Sequence, residues 1–157
     1  PLNMSVRAEI VETGNPKIKS ASIIINAPVS RVFSVVANPH MHAVIDGTKS
    51  VKSVIKGPEK LALGEKFGMN MHIGIDYRIT NTVIEFEENK RIAWRHVGRW
   101  IWRYEFTELA PNQTAVTESF DGTRTPLNWW LKLRKAYPHA QIALAKTLVR
   151  LKENCEK

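Results

Sequence analysis

The chain has 157 residues, 43% hydrophobic and 24% charged, a globular composition with apolar surface enough for one core and unlike a disordered or low-complexity segment. No run approaches the ~18 uncharged apolar residues of a membrane-spanning helix. The opening residues, which mix Arg7, Glu9 and Glu12 with apolar ones, do not read as a secretory signal.

The net charge is +8. It permits attraction to nucleic acid, anionic membrane or acidic ligands without choosing among them. The cations are spread along the whole chain, and the densest sets, Arg91/Arg95/Arg99/Arg103 and Lys132/Arg134/Lys135, are interrupted by tryptophan and leucine. A solvated basic surface is therefore expected, and nucleic acid is not the expected partner. The lone cysteine, Cys155, rules out a disulfide framework within the chain and makes the cytoplasm the default compartment. One cysteine and five scattered histidines offer no zinc spacing, so neither a metal nor a cofactor is expected.

In chain order, residues 1–16 read as a loose N-terminal extension of a single domain spanning 1–157. Lys17 to Asn26 is a strand that follows the Gly14-Asn15-Pro16 turn. Pro28 suits a helix start, and Val29, Val32, Phe33 and Val36 recur at helical spacing. Asn38-Pro39 interrupts that helix, and His40 to Ile45 can form a second short one, ended by the glycine of Asp46-Gly47-Thr48.

The period then changes to two. Ser50 to Lys56, Lys66 to Ile73, Tyr77 to Glu88, Arg91 to Gly98, Arg99 to Leu109 and Thr114 to Asp121 read as six strands of an antiparallel meander, with turns at Gly57-Pro58, Leu63-Gly64, 87–90 and Pro111-Asn112. Thr125-Pro126 caps a helical tail that Pro138 is expected to kink or divide. Beyond it Ala140, Leu144, Leu148, Leu151 and Cys155 form one apolar stripe, and Ile142, Ala145 and Val149 a second.

The pattern is α+β: about seven strands in a curved antiparallel sheet, with two short helices after the first strand and one long C-terminal helix to cover the apolar face. Phe67, Met69, Met71, Ile73, Ile92, Trp94, Trp100, Trp102, Tyr104 and Phe106 are the inward candidates, with Leu144 and Leu148 opposite them on the helix. Aromatic rings and flexible methionines suit an adaptable apolar pocket. Periodicity alone does not separate such a pocket from a filled core, and a cavity below about 100 Å3 would be too small for a ligand site.

Several segments resemble the START/Bet v 1-like superfamily, and within it the polyketide cyclase/dehydrase and lipid transport group. They are Ile24-Ile25-Asn26-Ala27-Pro28-Val29-Ser30-Arg31-Val32-Phe33, Asn38-Pro39, Ile45-Asp46-Gly47-Thr48, Leu63-Gly64-Glu65-Lys66-Phe67, Arg91-Ile92-Ala93-Trp94-Arg95, Trp102-Arg103-Tyr104-Glu105-Phe106 and Val116-Thr117-Glu118-Ser119-Phe120-Asp121. Their order and spacing carry the resemblance over roughly Lys17 to Asn154. It implies a helix-grip fold with a cavity between sheet and last helix, used by members to bind or transport lipids, sterols and hormones or to cyclise and dehydrate polyketides. The oxygenase branch needs an iron-binding His/carboxylate set that this chain lacks. Relatives often carry Trp just before the aspartate of the second short helix, where this chain has Val44-Ile45-Asp46; a different pocket mouth is implied.

Five polar positions are candidates for chemistry. His40 and His42 flank Asp46 near the implied mouth, where an imidazole beside a carboxylate can act as general base; at i and i+2 at most one faces inward. Glu118 alternates with Val116 and Phe120 and so turns inward, where burial raises a carboxyl pKa; pairing with Arg78 or Arg103 is the structural alternative. His96 extends the Ile92/Trp94 face. Asn81 shares the Tyr77/Ile79/Val83 face, although Arg78/Thr80/Thr82/Ile84/Phe86 is a nearly equal alternative and a bulge can switch the two.

The expectation is binding or transport of a hydrophobic small molecule, lipid-like or aromatic, in an internal cavity. The alternative is a polyketide cyclase or dehydratase using His40, His96 or Glu118. A homodimer is left open.

Overall fold

Strands joined by short polar turns pair most readily with their sequence neighbours. The computed structural model, which describes residues 6–47, 51–56 and 58–157, has that arrangement. Strands β3 (Val51–Lys56), β4 (Lys66–Ile73), β5 (Ile75–Glu87), β6 (Arg91–His96), β7 (Ile101–Ala110) and β8 (Gln113–Asp121) form the antiparallel meander. β8 then pairs along its length with β2 (Ile18–Ile25), Ile18 opposite Asp121 and Ile25 opposite Thr114. The seven expected strands are joined by an eighth, β1 (Glu9–Val11), which adds to the free edge of β2 and ties part of the 1–16 extension to the sheet. Thr48, the expected strand start at Ser50 and the Gly57 of the closing turn lie outside the described residues, as does the side chain of Ile73.

Helix α1 (Val29–Val36) buries Val29, Val32, Phe33 and Val36, the face read from spacing. Phe33 wedges between Phe86 and Phe106, ring centroids 5.5 and 5.2 Å away in edge-on contacts. That plug fills one end of the sheet's concavity. Phe86 reaches it because a register shift between Val83 and Glu85 changes which side chains of β5 point inward. Before the bulge the inner face is Ile79, Asn81 and Val83; beyond it, Phe86. Both candidate faces are used, each on its own side of the bulge.

The interrupted second helix is a 3-10 turn, Pro39–Met41, opened by the Asn38 side chain accepting from the His40 amide at 3.0 Å, followed by α2 (His42–Ile45). Gly47 ends it against the last helix. A Cβ here would overlap Lys146 and the Thr147 backbone, so close approach is what requires glycine at this position.

The tail divides into α3 (Asn128–Leu133) and α4 (Ala136–Cys155). The break is not at Pro138, as expected, but three residues earlier, where Lys135 adopts a left-handed φ of 54°. Pro138 falls in the first turn of α4, where its missing N–H leaves no helical bond unmade. Thr125 does not cap α3 directly; its Oγ1 accepts from the Leu127 amide (3.1 Å) and donates to the Gly98 carbonyl (2.6 Å), fastening the approach to α3 onto the β6–β7 turn. The expected stripe Ala140, Leu144, Leu148, Leu151 and Cys155 is buried. The second one is not as read: Ile142 is exposed, and the other inward line is Ala143 and Thr147.

Candidate functional site

Those two small side chains leave space. Between α2, the N-terminal half of α4 and the inner faces of β4 to β8 lies a cavity of about 250 Å3. That exceeds the ~150 Å3 that accepts benzene and falls just short of the roughly 300–1,000 Å3 of drug-sized sites, so the fit is to one or two rings. Met69, Met71, Trp94, Trp100 and Trp102 supply most of the apolar wall, and Ala143 and Thr147 the opposite side. Tyr77 and His139 are its exposed members and mark the mouth; Asn81, Tyr104, Glu118 and His42 are buried at the inner end.

The polar groups at the inner end have definite states. Glu118 is 4% exposed, and burial raises its pKa well above the usual carboxylate range, which favours the protonated carboxyl. Tyr104, opposite it on β7, hydrogen-bonds the carboxyl, while Oε1 of Glu118 has no partner. Asn81, 3% exposed, also leaves its Oδ1 unpartnered. Neither arginine proposed for Glu118 meets it: Arg103 lies on the outer face, clasping Glu85 at 2.6 and 2.9 Å and reaching Asp121 at 3.4 Å, and Arg78 is exposed.

Two histidines join them. His42 is stacked on Trp94 (4.8 Å) and edge-on to Phe67 (5.4 Å), with Nε2 donating to the Val36 carbonyl at 2.9 Å. Burial lowers its pKa to about 4, so the ring is neutral at pH 7 and Nδ1 is unprotonated. His96 stacks on Trp100 (4.1 Å) and accepts the Gly98 amide proton at Nδ1, 2.9 Å; its pKa is also lowered by burial to about 4. The proton of this neutral ring is therefore on Nε2. Apart from Asp46, which also lines the cavity, the polar groups of the wall are thus hydrogen-bonding side chains whose burial favours their neutral forms. Among the described residues, no three His, Cys, Asp or Glu side chains converge to hold a metal ion.

Residues 19–156 match the family described as polyketide cyclase / dehydrase and lipid transport. The chain belongs to that family. Solved structures share the fold at low identity. Ms6760 of Mycobacterium smegmatis superposes with a TM-score of 0.69 at 13% identity, over 95% of this chain and 97% of that one. An aromatase/cyclase, Zhui, of a Streptomyces species gives 0.67 at 15% identity, over 88% and 93%. In sequence, Rv0088 of Mycobacterium tuberculosis is 39% identical over 113 residues, 71% of this chain and 50% of that protein. The chain thus spans about half the length of the curated relatives it matches. No helix among the described residues is long and apolar enough to cross a membrane.

Against this family fold the expected site divides. Met69, Met71, Asn81, Trp94, His96, Trp100, Trp102, Tyr104 and Glu118 line the cavity. Phe67, Phe106, Leu144 and Leu148 do not: they are buried in the solid core. Phe106 belongs to the Phe33 plug, while Leu144 and Leu148 occupy the α4 face turned from the cavity, the price of tracing the wall along the most apolar stripe. His40 is a second correction. It is exposed on the 3-10 turn and off the cavity wall, and the inward imidazole is His42. Ile45, Asp46, Tyr77, Ile79, His139, Ala143 and Thr147 also line the cavity and were not singled out as wall residues. A signal did exist on α4, where His139, Ala143 and Thr147 recur every four residues, but small and polar side chains do not register as an apolar stripe. Just before Asp46, Val44 is exposed and Ile45 lines the cavity.

Proposed function

We propose that this domain binds a neutral hydrophobic small molecule of one or two rings carrying at least one hydrogen-bond donor. The observation that carries this reading is the pair of unpartnered oxygens, Glu118 Oε1 and Asn81 Oδ1, at the inner end of an otherwise apolar cavity. Buried polar atoms without partners cost about 1–3 kcal/mol each, and a ligand hydroxyl, which can donate to Asn81 Oδ1 and either accept from or donate to the Glu118 carboxyl, recovers it. An anionic head group is disfavoured there, because a buried carboxyl, an amide and two neutral imidazoles offer no positive counter-charge.

Calorimetric titration with a naphthol and with the matching methoxynaphthalene, which cannot donate, tests the reading. The naphthol is expected to bind roughly tenfold more tightly, and Asn81→Leu with Glu118→Leu to erase the difference. Equal affinities in the unaltered protein, or binding of neither, overturn it. Native mass spectrometry of freshly purified protein gives the complementary check, a co-purifying neutral mass.

A second reading, an acid–base enzyme acting on a poly-β-ketone, is favoured by one feature: burial favours the protonated form of Glu118, which faces the cavity. A neutral carboxyl can protonate a departing hydroxyl, which leaves as water, and then take the proton from the adjacent carbon as the double bond forms. His96, with its proton on Nε2, is the second donor on the wall. Glu118→Gln separates the readings, since glutamine keeps the hydrogen bonding but not the proton transfer. Retained binding with turnover lost supports the enzyme; absence of turnover in the unaltered protein leaves binding alone.

A further inference from the structure

Around the mouth the surface is apolar in a way that neither the core nor the cavity requires. α3 leaves Trp129 65% and Leu133 71% exposed, with Trp130 beside them 38% exposed. Ile75, at the start of β5, is 72% exposed, and Val97, in the β6–β7 turn, 80%. These side chains share one rim. The Thr125–Gly98 hydrogen bond fastens the lead into α3 to the turn that holds Val97, Arg134 is within electrostatic reach of the Tyr77 phenol at the mouth, and Tyr77 is two residues from Ile75. His139, the other exposed wall residue, is on the first turns of α4 just beyond α3.

The rim is also basic. Residues 122–135 include Arg124, Lys132, Arg134 and Lys135 and not one carboxylate, and the Arg134 guanidinium lies 5.0 Å from the centre of the Trp130 ring. Exposed tryptophan and aliphatic side chains framed by cations match the interfacial layer of a membrane, where indole and aliphatic groups settle at the head-group level and lysine and arginine meet lipid phosphates. The charge selects the occupant: an anionic surface is attracted by the same residues that would repel a second copy of this chain.

We propose that this rim docks on an anionic lipid bilayer, with Trp129, Leu133, Val97 and Ile75 entering the head-group layer and Lys132, Arg134 and Lys135 on the lipid phosphates, so that the cavity mouth opens toward the membrane. Co-sedimentation with vesicles of phosphatidylcholine alone, or with about a third phosphatidylglycerol, tests it, with indole emission as a second readout. Binding to the anionic vesicles is expected, weakening with salt and shifting the emission to the blue. Trp129→Ala with Leu133→Ala is expected to lower the partition at least tenfold, and Lys132→Glu with Lys135→Glu roughly fivefold for each cation removed. The matched control, Lys60→Glu with Lys90→Glu at the β5–β6 end, is expected to leave it within about twofold. All six positions are exposed, so circular dichroism should be unchanged. The proposal is overturned by no binding to anionic vesicles at low salt, by an equal loss in the control, by tighter binding to a DNA duplex than to vesicles, or by a dimer in light scattering that Trp129→Ala dissolves. The readout is partition to lipid, so it stands or falls apart from the identity of any cavity ligand.

Discussion

Glu118 and His42 are both buried, and burial favours the neutral form of each, yet they act on stability in opposite directions. In the unfolded chain Glu118 loses its proton near 4.5, whereas in the folded protein burial holds the proton on far above that. Its cost is absent below about pH 4.5 and grows as the pH rises. Glu118→Gln removes that cost, so it is expected to stabilise the protein at pH 7 to 8, with the gain vanishing below about pH 4.5. His42 binds its proton near 6.5 when unfolded and only near 4 when folded. Its stability is intact above 6.5 and is lost as the pH falls toward 4, by about 3 kcal/mol if the whole shift is expressed. Urea unfolding across this range should show His42→Gln losing less stability than the unaltered protein between pH 6.5 and 4; parallel curves would contradict the assignment. Of these groups, the alternation around Glu118 made its inward direction legible in the sequence. Its partner was not: spacing places Tyr104 on the inner face, but that Tyr104 lies opposite Glu118 depends on the β7–β8 register, a matter of pairing and not of spacing.

At the scale of elements, one departure from the sequence reading and one choice it leaves open have local causes. The C-terminal helix was expected to break at Pro138, but proline is harmless in a first turn, and the chain instead breaks where Lys135 takes a left-handed conformation. That conformation costs a non-glycine residue about 1 kcal/mol. Lys135→Gly is expected to raise the melting temperature by about 2–4 °C, measured by thermal unfolding, and Lys135→Val to lower it. The open choice is β5, whose two faces are nearly equivalent in sequence because the strand changes face midway, at the bulge. The bulge assigns Asn81 to the cavity and Phe86 to the plug around Phe33.

For the whole molecule, the cavity is a consequence of what α4 brings to it. One end of the concave sheet is filled by Phe33, Phe86 and Phe106, with Leu148 and Leu151 in the same buried core. The other end is faced by Ala143 and Thr147. Filling the gap from the helix side should therefore abolish binding while sparing the fold: Ala143→Phe is expected to lose naphthol binding at least tenfold, with unfolding cooperativity retained. If binding persisted, the ligand would have to occupy another site.

The sequence by itself determined the class of elements, their order and the antiparallel meander, because those follow from side-chain period and turn chemistry over a few neighbouring residues. The buried stripe of α4 and the apolar face of α1 were determined in the same way. Whether the space under the sheet was filled was decided only by the tertiary structure. A cavity is a missing volume between elements distant in the chain, set by the sheet's curvature, the β5 bulge and the small side chains of α4, and no local pattern of hydrophobicity encodes a volume that no residue occupies.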